Sequence, residues 1–67
     1  MRHSTVNNKV HELRTSKKLT QAQLAETCHV TRQTIIAIEK SKYQPTIELA
    51  LRISKALNKK VEEVFWL

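Results

Sequence analysis

The sequence has no glycine, one proline and one cysteine in 67 residues. Each scarcity excludes something. Without glycine there is no Gly-rich loop whose bare backbone could close around a phosphate. A single cysteine rules out an intrachain disulfide, and Cys28 reads as a small apolar filler in a reducing compartment. No apolar run reaches the ~18 residues that span a bilayer. The opening "MRHSTVNNK" lacks the apolar centre of a signal peptide. These absences point to a cytoplasmic protein with no membrane partner. A chain this short buries only about 60% of its unfolded surface. It reads as one domain, residues 1–67, with oligomerisation as the natural extra source of stability.

What is present is basic and helix-prone. Twelve Lys and Arg against six Asp and Glu give a net charge of +6. That suits a polyanion, because each contacted phosphate releases condensed counterions; a solubilising surface is the plainer reading. Abundant Ala, Leu, Glu, Lys and Gln favour helix. Five helices are expected, at about 5–17, 21–28, 32–40, 47–57 and 61–66. Val6, Val10 and Leu13 make the apolar stripe of the first, with Ser4 or Thr5 as its cap. Thr20 opens the second and has capping-box spacing to Gln23. Leu24, Ala25 and Cys28 point inward. Thr31 caps the third, which buries Ile35 and Ile38. Pro45 disfavours helix at Gln44. Thr46 caps the fourth, with Ile47, Ala50, Leu51, Ser54 and Leu57 as its buried face and Leu49 and Ile53 at the margins. Asn58 suits a left-handed stop.

Two short helices joined by a tight turn near residues 28–31 form a helix-turn-helix pattern. If Ile35 and Ile38 anchor the third helix, its other side faces outward. Arg32, Gln33, Ile36 and Ala37 occupy that side, as candidate base-reading residues in a major groove. Arg32 can donate twice to guanine, Gln33 can pair with the adenine edge, and Ile36 and Ala37 can pack on thymine methyls. An Ile at position 36 could equally widen the core stripe. The backbone amides of Thr20, Gln21 and the Thr31 region read as open donors for phosphate oxygens. Gln21, Thr31, Thr34, Lys40, Lys42 and Tyr43 could add side-chain contacts to the DNA backbone, which set register without carrying sequence information.

The stretches "ELR", "LTQAQLAE", "VTRQTIIAIEK", "Y-x-P", "ELALRISKAL" and "VEEVF" resemble the Xre family of phage-repressor-like helix-turn-helix regulators. The resemblance covers residues 8 to 65. It implies an all-α, compact five-helix bundle of lambda-repressor-like fold whose second and third helices read double-stranded DNA. It also implies a homodimer on a near-palindromic operator, with Arg32, Gln33, Ile36 and Ala37 facing bases. Gln21 would touch the backbone or bridge to Gln33, and Arg14 and Glu39 would form a buried pair. The chain departs from the family at His29 and Ser41, where glycine is usual, and at Asn58 and Lys60 before the last helix. His29 is then forced to positive φ, and Lys60 is a poor cap.

Other chemistries are weaker. Cys28 and His29, with His3 and His11 elsewhere, match no closed zinc set, so no metal or cofactor is expected. Neighbouring Cys and His seldom converge on one substrate atom, and no oxyanion device is evident; the chain does not read as an enzyme. Trp66 and Leu67, large and apolar at the end of the sequence, suggest a dimer interface across a twofold axis, or ordinary packing. The sum is a sequence-specific transcriptional regulator, a repressor acting as a homodimer. The alternative is an antitoxin-like or adaptor module that chiefly binds protein.

Overall fold

The computed structural model describes residues 6–67; the Ser4 and Thr5 caps lie outside the described residues. Five helices follow in order: α1 (Val10–Ser16), α2 (Gln21–Cys28), α3 (Arg32–Glu39), α4 (Ile47–Ala56) and α5 (Val61–Val64). Two short strands flank them, β1 (Asn7–Asn8) and β2 (Phe65–Trp66). They pair antiparallel, with Asn7 opposite Trp66 and Asn8 opposite Phe65. The architecture is the expected all-α bundle, closed by a small β clasp.

The clasp corrects both outer helices. α1 starts at Val10 rather than Thr5. An Asn side chain competes with the backbone for hydrogen bonds and so favours helix ends. Here Asn8 Oδ1 accepts from Val10 N at 3.1 Å, while its Nδ2 donates to the Ile38 carbonyl at 2.9 Å. Lys9 N donates to the Val64 carbonyl at 2.9 Å. One amide thus tethers the start of α1 to the end of α3. Val6 packs half-buried against the core from outside any helix. At the other end α5 stops at Val64, because Phe65 turns extended at φ −127° and ψ 140°.

The core is aliphatic. Val10, Leu24, Cys28, Ile35, Ile38, Ile53, Leu57 and Val64 are fully buried, from all five helical segments or their caps. α4 differs from its expected face. Leu49, Ala50, Ile53, Ser54 and Leu57 point inward, while Ile47 is 79% and Leu51 52% exposed. The apolar residues of α4 cover more than one side, so their spacing alone admits two faces. Packing against α2 and α5 selects the one bearing Ile53. Buried Ser54 is satisfied by donating to the Ala50 carbonyl at 2.8 Å. Arg52 fastens α4 to the carbonyl end of α2, donating to the Cys28 carbonyl at 3.3 Å and to Glu48 at 2.6 Å.

Helix starts follow the threonines. Thr20 Oγ1 accepts from Gln23 N at 3.0 Å, and Gln23 Oε1 accepts from Thr20 N at 2.8 Å. Thr31 and Thr46 cap α3 and α4 by accepting from Thr34 N and Leu49 N. Helix ends must solve a harder problem without glycine. Lys18, His29, Ser41 and Asn58 all sit at left-handed φ, between 58° and 62°. After each, the next N–H reaches the carbonyl five residues back: Leu19 to Arg14, Val30 to Ala25, Lys42 to Ala37 and Lys59 to Ser54, at 2.9–3.0 Å. This bond satisfies an orphan carbonyl of the last turn. A Cβ in that region costs about 1–2 kcal/mol, less for Asn. Four helix ends therefore carry side chains where glycine would be relaxed.

Candidate nucleic-acid interface

α2 and α3 are joined by His29, Val30 and Thr31. The left-handed His29 reverses the chain within that span. Thr31 then starts α3 at once, its hydroxyl also 3.2 Å from that of Thr34. Ile35 and Ile38 are fully buried, which fixes the roll of the helix. Arg32 and Gln33 consequently stand exposed on the first turn, with Ile36 and Ala37 half-buried beside them. Thr31, Lys40, Lys42 and Tyr43 are exposed around the two ends of α3; Thr34 and Gln21 are half-buried.

Behind this surface lies a connected polar network. Arg14 Nε donates to Glu39 Oε2 at 2.7 Å, and its Nη1 donates to the Leu19 carbonyl at 2.8 Å. Both side chains are nearly dry, 9% and 7% exposed. Gln21 Nε2 donates to Glu39 Oε1 at 3.1 Å, and Arg32 Nη2 donates to Gln21 Oε1 at 3.4 Å. Gln21 therefore bridges Glu39 to Arg32, not to Gln33. His11 completes the group, its Nδ1 lying 3.0 Å from Arg14 Nη2 and 3.4 Å from Glu39 Oε1. Burial pushes the Glu39 carboxyl up, but hydrogen bonds from Arg14 and Gln21, the Arg14 charge and His11 outweigh it, and the group is held below the usual carboxylate range. The buried carboxylate fixes the Gln21 amide, and the amide steadies the outermost base-facing candidate.

The backbone amides at the start of α2 are less open than the sequence suggested. Thr20 N–H is taken by Gln23 Oε1. Two features were not legible beforehand. His11 joins the Arg14–Glu39 group because α1 and α3 cross there, and Lys18 lines the same depression as Arg32; no local sequence signal marked either. Cys28 is buried, and burial, partly offset by Arg52, raises its thiol above the ordinary value. A thiol so held is a poor nucleophile. Among the described residues no three His, Cys, Asp or Glu side chains converge where an ion could sit, and no helix is long and apolar enough to cross a membrane. Trp66 is 42% exposed, with Lys9 Nζ 5.9 Å from its ring centre, and Leu67 is 85% exposed.

The sequence model of the helix-turn-helix family matches residues 10–64, from the start of α1 to the end of α5. The chain belongs to the helix-turn-helix family. Its relatives are transcriptional regulators, not enzymes. It is 53% identical over 62 residues to the uncharacterized HTH-type transcriptional regulator YgzD of Bacillus subtilis, spanning 92% of this chain and 94% of that one. It is 32% identical over 60 residues to the immunity repressor protein of Bacillus phage phi105, spanning 90% of this chain and 42% of that protein. Among solved structures it resembles the restriction-modification controller protein C.AhdI from Aeromonas hydrophila, with a TM-score of 0.77 and 28% identity over 81% of this chain and 82% of that one. The Xre-type resemblance thus holds for the family and for the fold.

Proposed function

We propose that this helix-turn-helix protein is a single-domain, cytoplasmic, sequence-specific binder of double-stranded DNA that represses transcription as a homodimer. One observation carries the reading. Arg32 and Gln33 stand exposed on the first turn of α3, while Ile35 and Ile38 of the same helix are fully buried. A short helix held by one side presents the other to a groove. Arg32, Gln33, Ile36 and Ala37 read bases; Gln21, Thr31, Thr34, Lys40, Lys42 and Tyr43 hold the backbone. The Arg14–Glu39 pair fixes α1 against α3 behind them. Occupancy of a promoter excludes other proteins from the same duplex, which is sufficient for repression.

A twofold dimer sets two α3 helices about 34–36 Å apart, one helical turn, on an inverted repeat. Trp66 and Leu67 form the seam in this reading, supported by the exposure of Trp66 on β2 and of Leu67 just beyond it. Trp66→Ala is expected to raise the dimer dissociation constant in sedimentation. An intact dimer in that variant, together with a monomeric Leu51→Ser, moves the seam to the exposed face of α4.

Arg32→Ala tests the base reading. Discrimination at one position of each half-site is expected to fall by about 1–3 kcal/mol, the worth of a bidentate pair. Lys42→Ala is expected to weaken all duplexes alike and to reduce the salt slope by about one. Sites selected from random duplex supply the operator. If Arg32→Ala weakens random DNA as much as operator, Arg32 reads no base. A reporter that rises rather than falls on expression of the protein overturns repression while leaving DNA binding intact.

A further inference from the structure

Beside Arg32 the surface sinks into an open depression of about 730 Å³, walled by Arg14, Lys18, Thr20, Gln21 and Arg32 among others. Three cations line it, and no carboxylate does. Arg14 is committed to Glu39 and the Leu19 carbonyl. Lys18 has no ion-pair partner among the described residues. It is also the residue whose backbone sits at φ 61° in the turn between α1 and α2. A lysine, with no side-chain amide to stabilise that conformation locally, is strained there.

We infer that Lys18 grips a phosphate of the bound duplex, and that this depression receives the sugar-phosphate strand flanking the bases read by α3. The inference rests on the DNA-binding reading above and adds a residue to it. A major groove is about 12 Å wide, so a helix seated in it meets a phosphate wall on either side. The α1–α2 turn flanks the Arg32 end of α3, because Gln21 and Arg32 are hydrogen-bonded across that junction. An extended lysine placed there reaches the wall rather than the bases. The contact is therefore indifferent to sequence and dependent on salt.

Lys18→Gly separates this role from a structural one, because the two effects run in opposite directions. The variant relieves the left-handed strain, so it is expected to melt at a higher temperature than the parent. It also removes one phosphate contact, so the slope of log affinity against log salt is expected to lessen by about 0.9. The ratio of parent to variant affinity then grows about eightfold for each tenfold drop in salt, for operator and random duplex alike. His29→Gly is the control. It relieves the same strain at a position lining a different depression, with Thr27 and Arg52, and is expected to raise melting temperature without changing the slope. A parent-to-variant ratio for Lys18→Gly that is flat with salt, or that differs between operator and random DNA, overturns the inference. Parent protein showing no salt-dependent duplex binding at all sinks the DNA-binding reading, and the inference falls with it.

Discussion

Glu39→Ala is expected to lower the unfolding free energy by about 3–5 kcal/mol, the usual loss when one partner of a buried ion pair is removed. A domain of this size holds only about 3–10 kcal/mol in total, so the variant sits close to unfolding at ambient temperature. The size of the effect follows from what is left behind. Arg14 keeps its charge in a site where its side chain is 9% exposed, and of its partners only the Leu19 carbonyl and His11 remain. Replacing both partners, as Arg14→Met with Glu39→Leu, is expected to recover most of the loss, because neither charge then needs solvation. Urea titration of the three variants decides it. A loss under about 1 kcal/mol in Glu39→Ala places the pair with screened surface ion pairs.

The same carboxylate gives stability a pH dependence of definite sign. Its folded-state pKa lies below the unfolded one, so the unfolded chain binds more protons at this site. The stabilisation is complete above the unfolded glutamate pKa, about 4.3, and is lost as pH falls through the lower folded value. Glu39→Gln is expected to flatten that acid limb, read from urea titrations repeated across acid pH.

Ile35→Ala is the second large effect, with an expected cost of about 2–5 kcal/mol, the range for truncating a fully buried aliphatic side chain. Ile35 is wholly enclosed, and it sets the roll that exposes Arg32 and Gln33. Operator affinity is expected to fall further than random-duplex affinity in the fraction that remains folded, since a loosened roll blurs base contacts more than phosphate contacts. Ile47→Ala removes an isoleucine of the same size, and is expected to shift stability by no more than about 0.5 kcal/mol, because that side chain is 79% exposed. Thermal melts of the pair compare burial with identity directly. Equal losses in the two variants contradict the assignment of the core.

That comparison also marks where the sequence stopped being informative. The threonine caps and the inward isoleucines of α3 were legible, because each is decided within one turn of helix. The face of α4 was not. Ile47 and Leu51 are four apart and fit a buried stripe as well as Leu49 and Ile53 do; only the neighbouring helices choose between them. The start of α1 failed for a related reason. Val6, Val10 and Leu13 have helical spacing, but Asn8 spends its amide on Val10 N and on the Ile38 carbonyl, the latter thirty residues away. The β clasp is longer-ranged still. At the candidate interface the exposed position of Arg32 was readable, whereas its tether through Gln21 to Glu39 depended on how α2 crosses α3. Lys18 was missed because a lysine pair ahead of a leucine carries no mark of left-handed backbone.

The clasp has a practical corollary for anyone attaching a probe. Asn7 Nδ2 donates to the Leu67 carbonyl, across sixty positions of sequence, so cargo hung from either strand leaves the molecule at one corner. Asn8 anchors that corner to the Ile38 end of α3. At 1.5 Å per residue, Ile38 is about 9 Å along the helix axis from Arg32. A small probe on either strand is therefore anchored toward the Ile38 end of α3, away from Arg32.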